Sequence, residues 1–165
     1  MLIRYERPDD WPSVYSVNEA AFGRPDEAEL VERLRAEDAV LLSLVAQLEG
    51  EIAGHILFSR MWIDAAKRSM AAAALGPLAV LPQYQRRGIG QALVLLGLDL
   101  LANEGEQIVI VLGEPQYYSR FGFSAEKTRS LKSPFPPEFF MAMELSRGAL
   151  GGIRGKVRYS VSFGL

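Results

Sequence analysis

Cysteine is absent from this chain, and histidine occurs once, as His55. The lack of cysteine excludes a disulfide framework, a thiolate nucleophile and a cysteine-ligated zinc site. A Ser-His-Asp triad would have to use His55, and no Gly-x-Ser-x-Gly elbow accompanies it. The motif Gly-x-x-x-x-Gly-Lys-(Ser/Thr) is also missing, which disfavours a P-loop nucleotidase. If the chain is an enzyme, we expect it to work without a metal or a cysteine.

A strong net charge and a long apolar run are lacking as well. The 18 Lys and Arg residues nearly balance the 20 Asp and Glu residues, for a formal net charge of -2. This balance favours neither nucleic acid nor an anionic membrane as a partner. No apolar run reaches the roughly 18 to 20 residues that span a bilayer, because Gln91 and Asp99 interrupt the longest candidate. Since the first residues also lack the apolar stretch of a signal peptide, we expect a cytoplasmic protein.

The pattern of apolar residues predicts alternating strands and helices. The 165 residues, 49% of them hydrophobic, are typical of one globular domain, which we place at residues 1–165. A first helix, capped by Asp9 or Asp10, is predicted to end near Phe22. The remaining predicted elements are helices at 25–37, 89–103 and 115–120 and strands at 2–7, 41–48, 51–63, 71–81, 108–112, 139–145 and 156–163. This order indicates a mixed α/β sheet with one helical crossover in its centre.

The segment from Gln85 to Gln91, Gln-Arg-Arg-Gly-Ile-Gly-Gln, lies between a predicted strand and a predicted helix. The first amides of a helix lack internal partners and carry the positive end of its dipole, so this turn predicts an anion site. The pyrophosphate of a nucleotide-like cofactor is the candidate anion. Taken alone, Gly88 and Gly90 are equally consistent with a tight turn and no ligand. A Rossmann fingerprint would need glycine at the position of Leu93.

Three stretches in order resemble the GNAT superfamily of acetyl-CoA-dependent N-acetyltransferases. Residues 41–59 resemble the family's β-hairpin, residues 75–90 its signature strand and (Gln/Arg)-x-x-Gly-x-(Gly/Ala) loop, and residues 117–123 its tyrosine motif. The resemblance covers roughly residues 2–126. It implies the acyl-CoA N-acyltransferase fold, a mixed α+β structure with a mostly antiparallel central sheet flanked by helices. It also implies transfer of an acetyl group from acetyl-CoA to a primary amine of a small molecule or a protein, without a metal.

The resemblance implies which residues bind acetyl-CoA. Backbone amides from Arg86 to Gln91 would hold the pyrophosphate, and the strand before them would pair with the pantetheine arm. Arg86 and Arg87 would supplement the amides or reach the outer phosphate, unless they are simply solvated surface arginines. The predicted cofactor-binding residues are therefore Leu78, Ala79, Val80, Gln85, Arg86, Arg87, Gly88, Ile89, Gly90 and Gln91.

Tyr118 is the predicted catalytic residue. It lies four residues before Gly122, as the family's tyrosine does, whereas Tyr117 lies five residues before it. A phenol in this position would donate a proton to the departing thiolate of the cofactor. The alternative is that both tyrosines are packing aromatics beside Phe121 and Phe123.

The residues leave the general base open. His55 is a possible proton acceptor, but a buried histidine is more often a structural residue with its hydrogen bonds satisfied. Glu114 follows a predicted buried strand and could reach the place where neighbouring strands separate. The signature strand carries no acidic residue where some family members have one. A water chain remains a further possibility, and we predict no base.

The acceptor is also left open. The first two helices and the loop at 130–137 would wall its site, and an apolar pocket there could use Phe135, Phe139, Phe140 and Met141 unless these are core residues. The alternatives to acetyl transfer are a transferase for a longer acyl-CoA and a non-catalytic acyl-CoA-binding domain. We expect no nucleic acid and no membrane as partners, and the late strands make a homodimer possible.

Overall fold

The computed structural model describes residues 1–165, which form one eight-stranded mixed sheet with helices on both faces. The strands are β1 (Leu2–Tyr5), β2 (Val40–Leu48), β3 (Glu51–Ala65), β4 (Ser69–Val80), β5 (Ile108–Leu112), β6 (Leu131–Lys132), β7 (Phe140–Glu144) and β8 (Gly155–Arg158), and the helices are α1 (Trp11–Phe22), α2 (Asp26–Ala36), α3 (Ile89–Asn103) and α4 (Pro115–Tyr118). The sheet order is β1-β2-β3-β4-β5-β7, with β8 paired to β3 and β6. Only β4–β5 and β6–β8 are parallel, so the predicted mixed, mostly antiparallel fold is confirmed.

The two faces of the sheet are covered by different helices because side chains alternate along each strand. On β3, Ile56 and Phe58 point into the core under α3, where Leu93 of that helix is fully buried. Leu57, between them, points to the opposite face and packs with buried side chains of α1 and α2, including Leu34. Each face therefore has its own apolar core, and the sheet separates two distinct surfaces.

The sheet opens between β4 and β5. These strands pair only over Ala73–Leu75 and Val109–Val111. Beyond Leu75, β4 stays paired with β3 up to Val80, while β5 ends at Leu112 and the chain turns into α4. The β5-facing edge of β4 at residues 78–80 thus has no neighbouring strand, and this gap between β4 and β5 is called the opening below.

Two predicted elements near the C-terminus are wrong in extent. The strand expected at 156–163 ends at Arg158, because Ser160 caps a 3₁₀ turn at Val161–Phe163 by accepting a bond from the amide of Ser162. The helix expected at 115–120 ends at Tyr118, and a 3₁₀ turn follows that Gly122 terminates with a φ of 105°. The first difference places Tyr159 and Phe163 outside any strand.

The late strands find partners within the chain. Strand β7 pairs with β5 on one side, and on the other Ser124 forms a bridge to Ala142. Strand β8 extends the edge of β3 beyond the end of β2. A homodimer through these strands stays a prediction. None of the helices combines the length and apolarity needed to cross a bilayer.

Candidate active site

The start of α3 gathers unpaired backbone amides at one point. Gly88 has a φ of 84°, and Arg86 before it has a φ of 64°, so the loop turns twice through the left-handed region. Such alternation points successive N–H groups to one side and forms an anion-binding concavity. A Cβ on Gly88 would meet no atom within 4 Å, so this position needs glycine for its conformation and not for space.

A cleft of about 630 Å³ lies in front of these amides. It runs between the start of α3, the open edge of β4, the end of α1 and the α4 turn. Most predicted cofactor residues line it, whereas Ala79 and Arg87 do not. The lining residues are Ala21, Phe22, Leu78, Val80, Tyr84, Gln85, Arg86, Gly88, Ile89, Gly90, Gln91, Tyr117 and Arg120.

The edge of β4 explains why Leu78 and Val80 line the cleft and Ala79 does not. Leu81 donates its amide to the carbonyl of Ala53 on β3, at 2.8 Å. Backbone N–H and C=O groups alternate sides along an antiparallel pair, so those of Ala79 also face β3. The N–H and C=O groups of Leu78 and Val80 face the opening instead. The side-chain amide of Gln85 donates to the Val80 carbonyl at 3.0 Å, which fixes the loop against this edge.

The arginines of the motif differ in position. Arg86 lines the cleft, whereas the guanidinium of Arg87 lies 5.6 Å from the ring centre of Tyr84. A further cation, Arg120, was missed by the sequence analysis because it lies outside the loop motif. Its Nε donates to the carbonyl of Tyr117 at 3.2 Å, and its guanidinium lies 4.7 Å from the Tyr117 ring centre. Two arginines from separate segments therefore flank the cleft.

Of the two adjacent tyrosines, Tyr117 lines the cleft and Tyr118 does not. The Tyr117 hydroxyl lies against the first turn of α3, 2.9 Å from where a Cβ on Gly90 would be. The Tyr118 ring covers Gly113, directly after β5, and meets the Phe123 ring edge-on at 5.8 Å. Burial raises the pKa of the Tyr118 phenol above its ordinary value, and the neighbouring Tyr117 adds to this. Burial also raises the pKa of Tyr117, against a lowering by Arg120.

His55 is fully buried and lines neither the cleft nor the pocket on the other face. The Asn18 side-chain amide bonds its Nδ1 at 3.1 Å, and the Ser43 hydroxyl contacts its Nε2 at 2.8 Å. Since the amide is a donor, Nδ1 accepts and Nε2 carries the proton. Burial, with Arg35 as a second cause, lowers the pKa of His55 to about 3, so the ring is neutral at physiological pH. These contacts are those of a structural histidine.

The other candidate for the general base, Glu114, does not reach the cleft either. Glu114 is exposed at the residue preceding α4 and does not line the cleft. The structure contains no group of three or more His, Cys, Asp or Glu side chains placed to hold a metal ion.

A second pocket, of about 480 Å³, lies on the α2 side of the sheet. Among the residues suggested for an apolar acceptor pocket, Phe135 lines it, whereas Phe140 and Met141 are core residues exposed by 3% and 1%. Phe139 ends a 3₁₀ turn, and its carbonyl accepts a bond from the Gly113 amide at 3.0 Å. The aromatic residues Tyr159 and Phe163 complete the pocket wall, and the sequence pattern did not predict them.

Comparison with known proteins identifies the family. A family model for the acetyltransferase (GNAT) domain matches residues 2–125. The chain is 36% identical over 166 aligned residues to the uncharacterized N-acetyltransferase YhbS of Escherichia coli strain K12, covering 99% of this chain and 98% of YhbS. The chain therefore belongs to the GNAT family of N-acetyltransferases, as the resemblance predicted.

Two solved structures share the whole fold. The structure of Escherichia coli YhbS in complex with CoA matches with a TM-score of 0.91 at 34% identity, over 99% of this chain and 92% of that one. A GNAT family acetyltransferase from Brucella melitensis in complex with acetyl-CoA matches with a TM-score of 0.81 at 36% identity, over 98% and 97%. The predicted acyl-CoA N-acyltransferase fold is thereby confirmed.

Proposed function

We propose that this protein transfers an acetyl group from acetyl-CoA to a primary amine. The observation that carries the proposal is the continuity of two features in one cleft: the amide concavity at Gly88 and the unpaired edge of β4 at Leu78 and Val80. The first suits a pyrophosphate, and the second suits an extended amide-containing arm that adds to a sheet edge. The complexes of the two relatives with CoA and acetyl-CoA support the same donor.

The residues of the cleft fit the donor in chemistry and in size. Amides of residues 86–91 would bind the pyrophosphate, and Arg86 and Arg120 supply positive charge beside them. The cleft volume of about 630 Å³ lies within the range of small-molecule sites. When bound, acetyl-CoA would supply a thioester: the amine nitrogen would bond to its carbonyl carbon and lose a proton, the carbon–sulfur bond would break, and the leaving thiolate would take up a proton.

Tyr118 is the residue that we propose to hold this proton. Its ring lies over Gly113, where β4 and β5 separate, whereas the Tyr117 hydroxyl lies at the anion-binding end near Gly90. The raised pKa of Tyr118 keeps the phenol protonated throughout the neutral range, so its O–H can donate a hydrogen bond to the developing thiolate, although burial makes it a weaker acid than an exposed tyrosine. Tyr117 is the competing phenol, and we infer that its position suits binding of the donor.

Paired variants test both the function and this division of roles. We expect the parent protein to release thiol from acetyl-CoA in the presence of a primary amine. Tyr118→Phe should lower kcat by about 10²- to 10⁴-fold, the usual contribution of a positioned proton donor, with the Kd for CoA unchanged. Tyr117→Phe should change the KM for acetyl-CoA more than kcat. Full turnover by Tyr118→Phe would remove Tyr118 from the mechanism, and tight CoA binding without turnover on any amine would favour a non-catalytic binding domain.

A further inference from the structure

We propose that the pocket on the α2 side of the sheet is the acceptor site and selects compact primary amines with an apolar body of aromatic size. The inference rests on the proposed acetyl transfer, and it names the class of molecule that receives the acetyl group. Four observations lead to it: the position of the pocket, its aromatic wall, its closure and its charge balance.

The pocket lies on the other face of the sheet from the cofactor cleft, over the paired part of β4 and β5. Its floor includes Ala74 of β4 and Ile110 of β5, which belong to the core cluster on the side away from α3. Their neighbours Ala73, Val109 and Val111 point to the α3 side instead. Leu75 and Leu112, at the ends of the β4–β5 pairing, border the pocket as well. The Leu75 and Leu112 border of the pocket therefore lies next to the point where β4 and β5 separate, on the face opposite to the donor cleft.

Three aromatic side chains form the outer wall. The Tyr159 ring meets Phe135 edge-on at 5.7 Å and Phe163 at 5.2 Å, measured between ring centres. Burial alone raises the pKa of the Tyr159 phenol, with no hydrogen bond or charge contributing, so its hydroxyl stays protonated. Flat rings at these spacings pack best against another flat or branched apolar group.

The wall comes from the part of the chain that the family model does not cover. That model ends at residue 125, and Phe135, Tyr159 and Phe163 all follow it. The donor cleft, by contrast, is built entirely from residues that the model does cover. The acceptor preference therefore depends on residues of this chain that lie outside the matched family domain.

The pocket is closed along one side. Arg33 of α2 donates from its Nε to the carbonyl of Ser162 in the C-terminal turn, at 3.2 Å, and so joins two walls. A volume of about 480 Å³ accommodates a compact molecule. An extended polypeptide would need a groove running past both walls, where this bridge lies. The geometry thus favours a small amine over a protein acceptor.

Four charged side chains line the pocket, and two of them pair with each other. Arg24 binds both carboxylate oxygens of Glu27, at 2.9 Å and 2.6 Å, and Arg33 donates to the Ser162 carbonyl. Asp26 also lines the pocket and forms no ion pair, so its carboxylate can attract the ammonium group that every primary amine carries. Because that attraction is common to all amines, apolar contact is the main source of discrimination between them. The prediction is a dependence of rate on the apolar area of the acceptor.

An amine panel tests the inference. The probes are ethanolamine and putrescine as polar amines, butylamine and hexylamine as an aliphatic pair, and phenethylamine as the aromatic member. We expect kcat/KM to rise about fourfold per methylene that becomes buried, and to be highest for hexylamine or phenethylamine. Phe163→Ala should flatten this dependence, Phe163→Leu should keep most of it, and Val161→Ala, in the same turn but 76% exposed, should leave it unchanged.

The outcomes separate this inference from the proposed function. A flat profile across the panel, with turnover intact, would overturn the acceptor class and leave acetyl transfer standing. Faster acetylation of an unstructured lysine-containing peptide than of any small amine would overturn it too. Loss of both CoA binding and turnover in the parent protein would instead overturn the proposed function. A preference for apolar amines that Phe163→Ala abolishes would support the inference.

Discussion

The two sides of the β4–β5 opening are built by different means. On the α3 side, the cleft depends on backbone: left-handed residues at 86 and 88, free amides at the start of α3 and the unpaired edge of β4. On the α2 side, the pocket depends on side chains from α2, from the loop around Phe135 and from the C-terminal turn. A backbone site suits a donor that a whole family shares, whereas a side-chain site can change with single substitutions.

The largest effect should come from moving the Tyr118 ring, which covers Gly113 directly after β5. A Cβ on Gly113 would lie 2.4 Å from the Tyr118 ring, so Gly113→Ala must displace it. If Tyr118 is the proton donor, we expect kcat to fall about a hundredfold or more, toward that of Tyr118→Phe.

Gly97→Ala is the matched control for this variant. Its Cβ would lie 2.4 Å from the Phe58 ring in the core under α3, an equal overlap away from the opening. Overpacking there should cost about 1–3 kcal/mol of unfolding free energy and leave kcat nearly unchanged. Equal losses of kcat in both variants would show that Gly113→Ala acts through general instability. The variant would then give no support for Tyr118 as the proton donor.

The next largest effect tests the backbone origin of the donor cleft. Gly88→Val forces a β-branched residue toward a φ of 84°, which is costly enough to rearrange the loop and scatter its amides. We expect the KM for acetyl-CoA to rise about tenfold or more, with little change in amine preference. Gly148→Val, at a φ of 81° in the exposed C-terminal loop, carries the same strain and should leave that KM unchanged. Equal KM values for Gly88→Val and the parent would argue against an amide-built anion site.

This contrast explains what the sequence could predict. The loop from Gln85 to Gln91 is contiguous, and its glycines and flanking apolar runs specify a strand, a turn and a helix that begins at Ile89 as predicted. The alternation of β3 and the apolar run of β5 likewise specify buried strands, since local pattern and burial agree there.

The remaining features depend on contacts that no local pattern encodes. The chain brings Leu30, Phe135 and Phe163 together from three segments only through the tertiary fold. The different positions of Tyr117 and Tyr118 were equally hidden, because both lie on the short α4 although only Tyr117 lines the cleft and Tyr118 covers Gly113. The end of β8 at Arg158 was missed because a single Ser160 cap ended an alternating polar and apolar pattern that favoured a strand.

The third prediction concerns His55, which lies on β3 between Asn18 of α1 and Ser43 of β2. Its folded pKa of about 3 lies below the unfolded value of about 6.5, so between these values the unfolded chain binds a proton that the folded chain does not. Stability contributed by the neutral ring is therefore complete above pH 6.5 and falls as the pH decreases, by up to about 1.4 kcal/mol per pH unit.

Urea unfolding at about pH 7.5, 6 and 5 measures this slope. His55→Gln should be less stable at pH 7.5 but should show a shallower loss on acidification, because one titrating group is gone. Equal slopes for the two proteins would contradict a buried neutral histidine. The pH dependence of acetyl transfer near neutrality should not follow this titration, since His55 lines neither the donor cleft nor the acceptor pocket.

The smallest expected effect concerns Tyr117, the side chain that contacts the backbone of the donor cleft at Gly90. A Cβ on Gly90 would lie 2.9 Å from the Tyr117 hydroxyl, so Gly90→Ala should push that ring aside and raise the KM for acetyl-CoA severalfold. Removing the hydroxyl relieves the overlap, and the double variant Gly90→Ala/Tyr117→Phe should bind the donor better than the sum of the single changes predicts. A coupling energy of about 0.5–1 kcal/mol in a double-mutant cycle is the expected size for such contacting groups. Strict additivity would mean that Tyr117 does not touch the start of α3 in solution, and that backbone alone shapes the donor side.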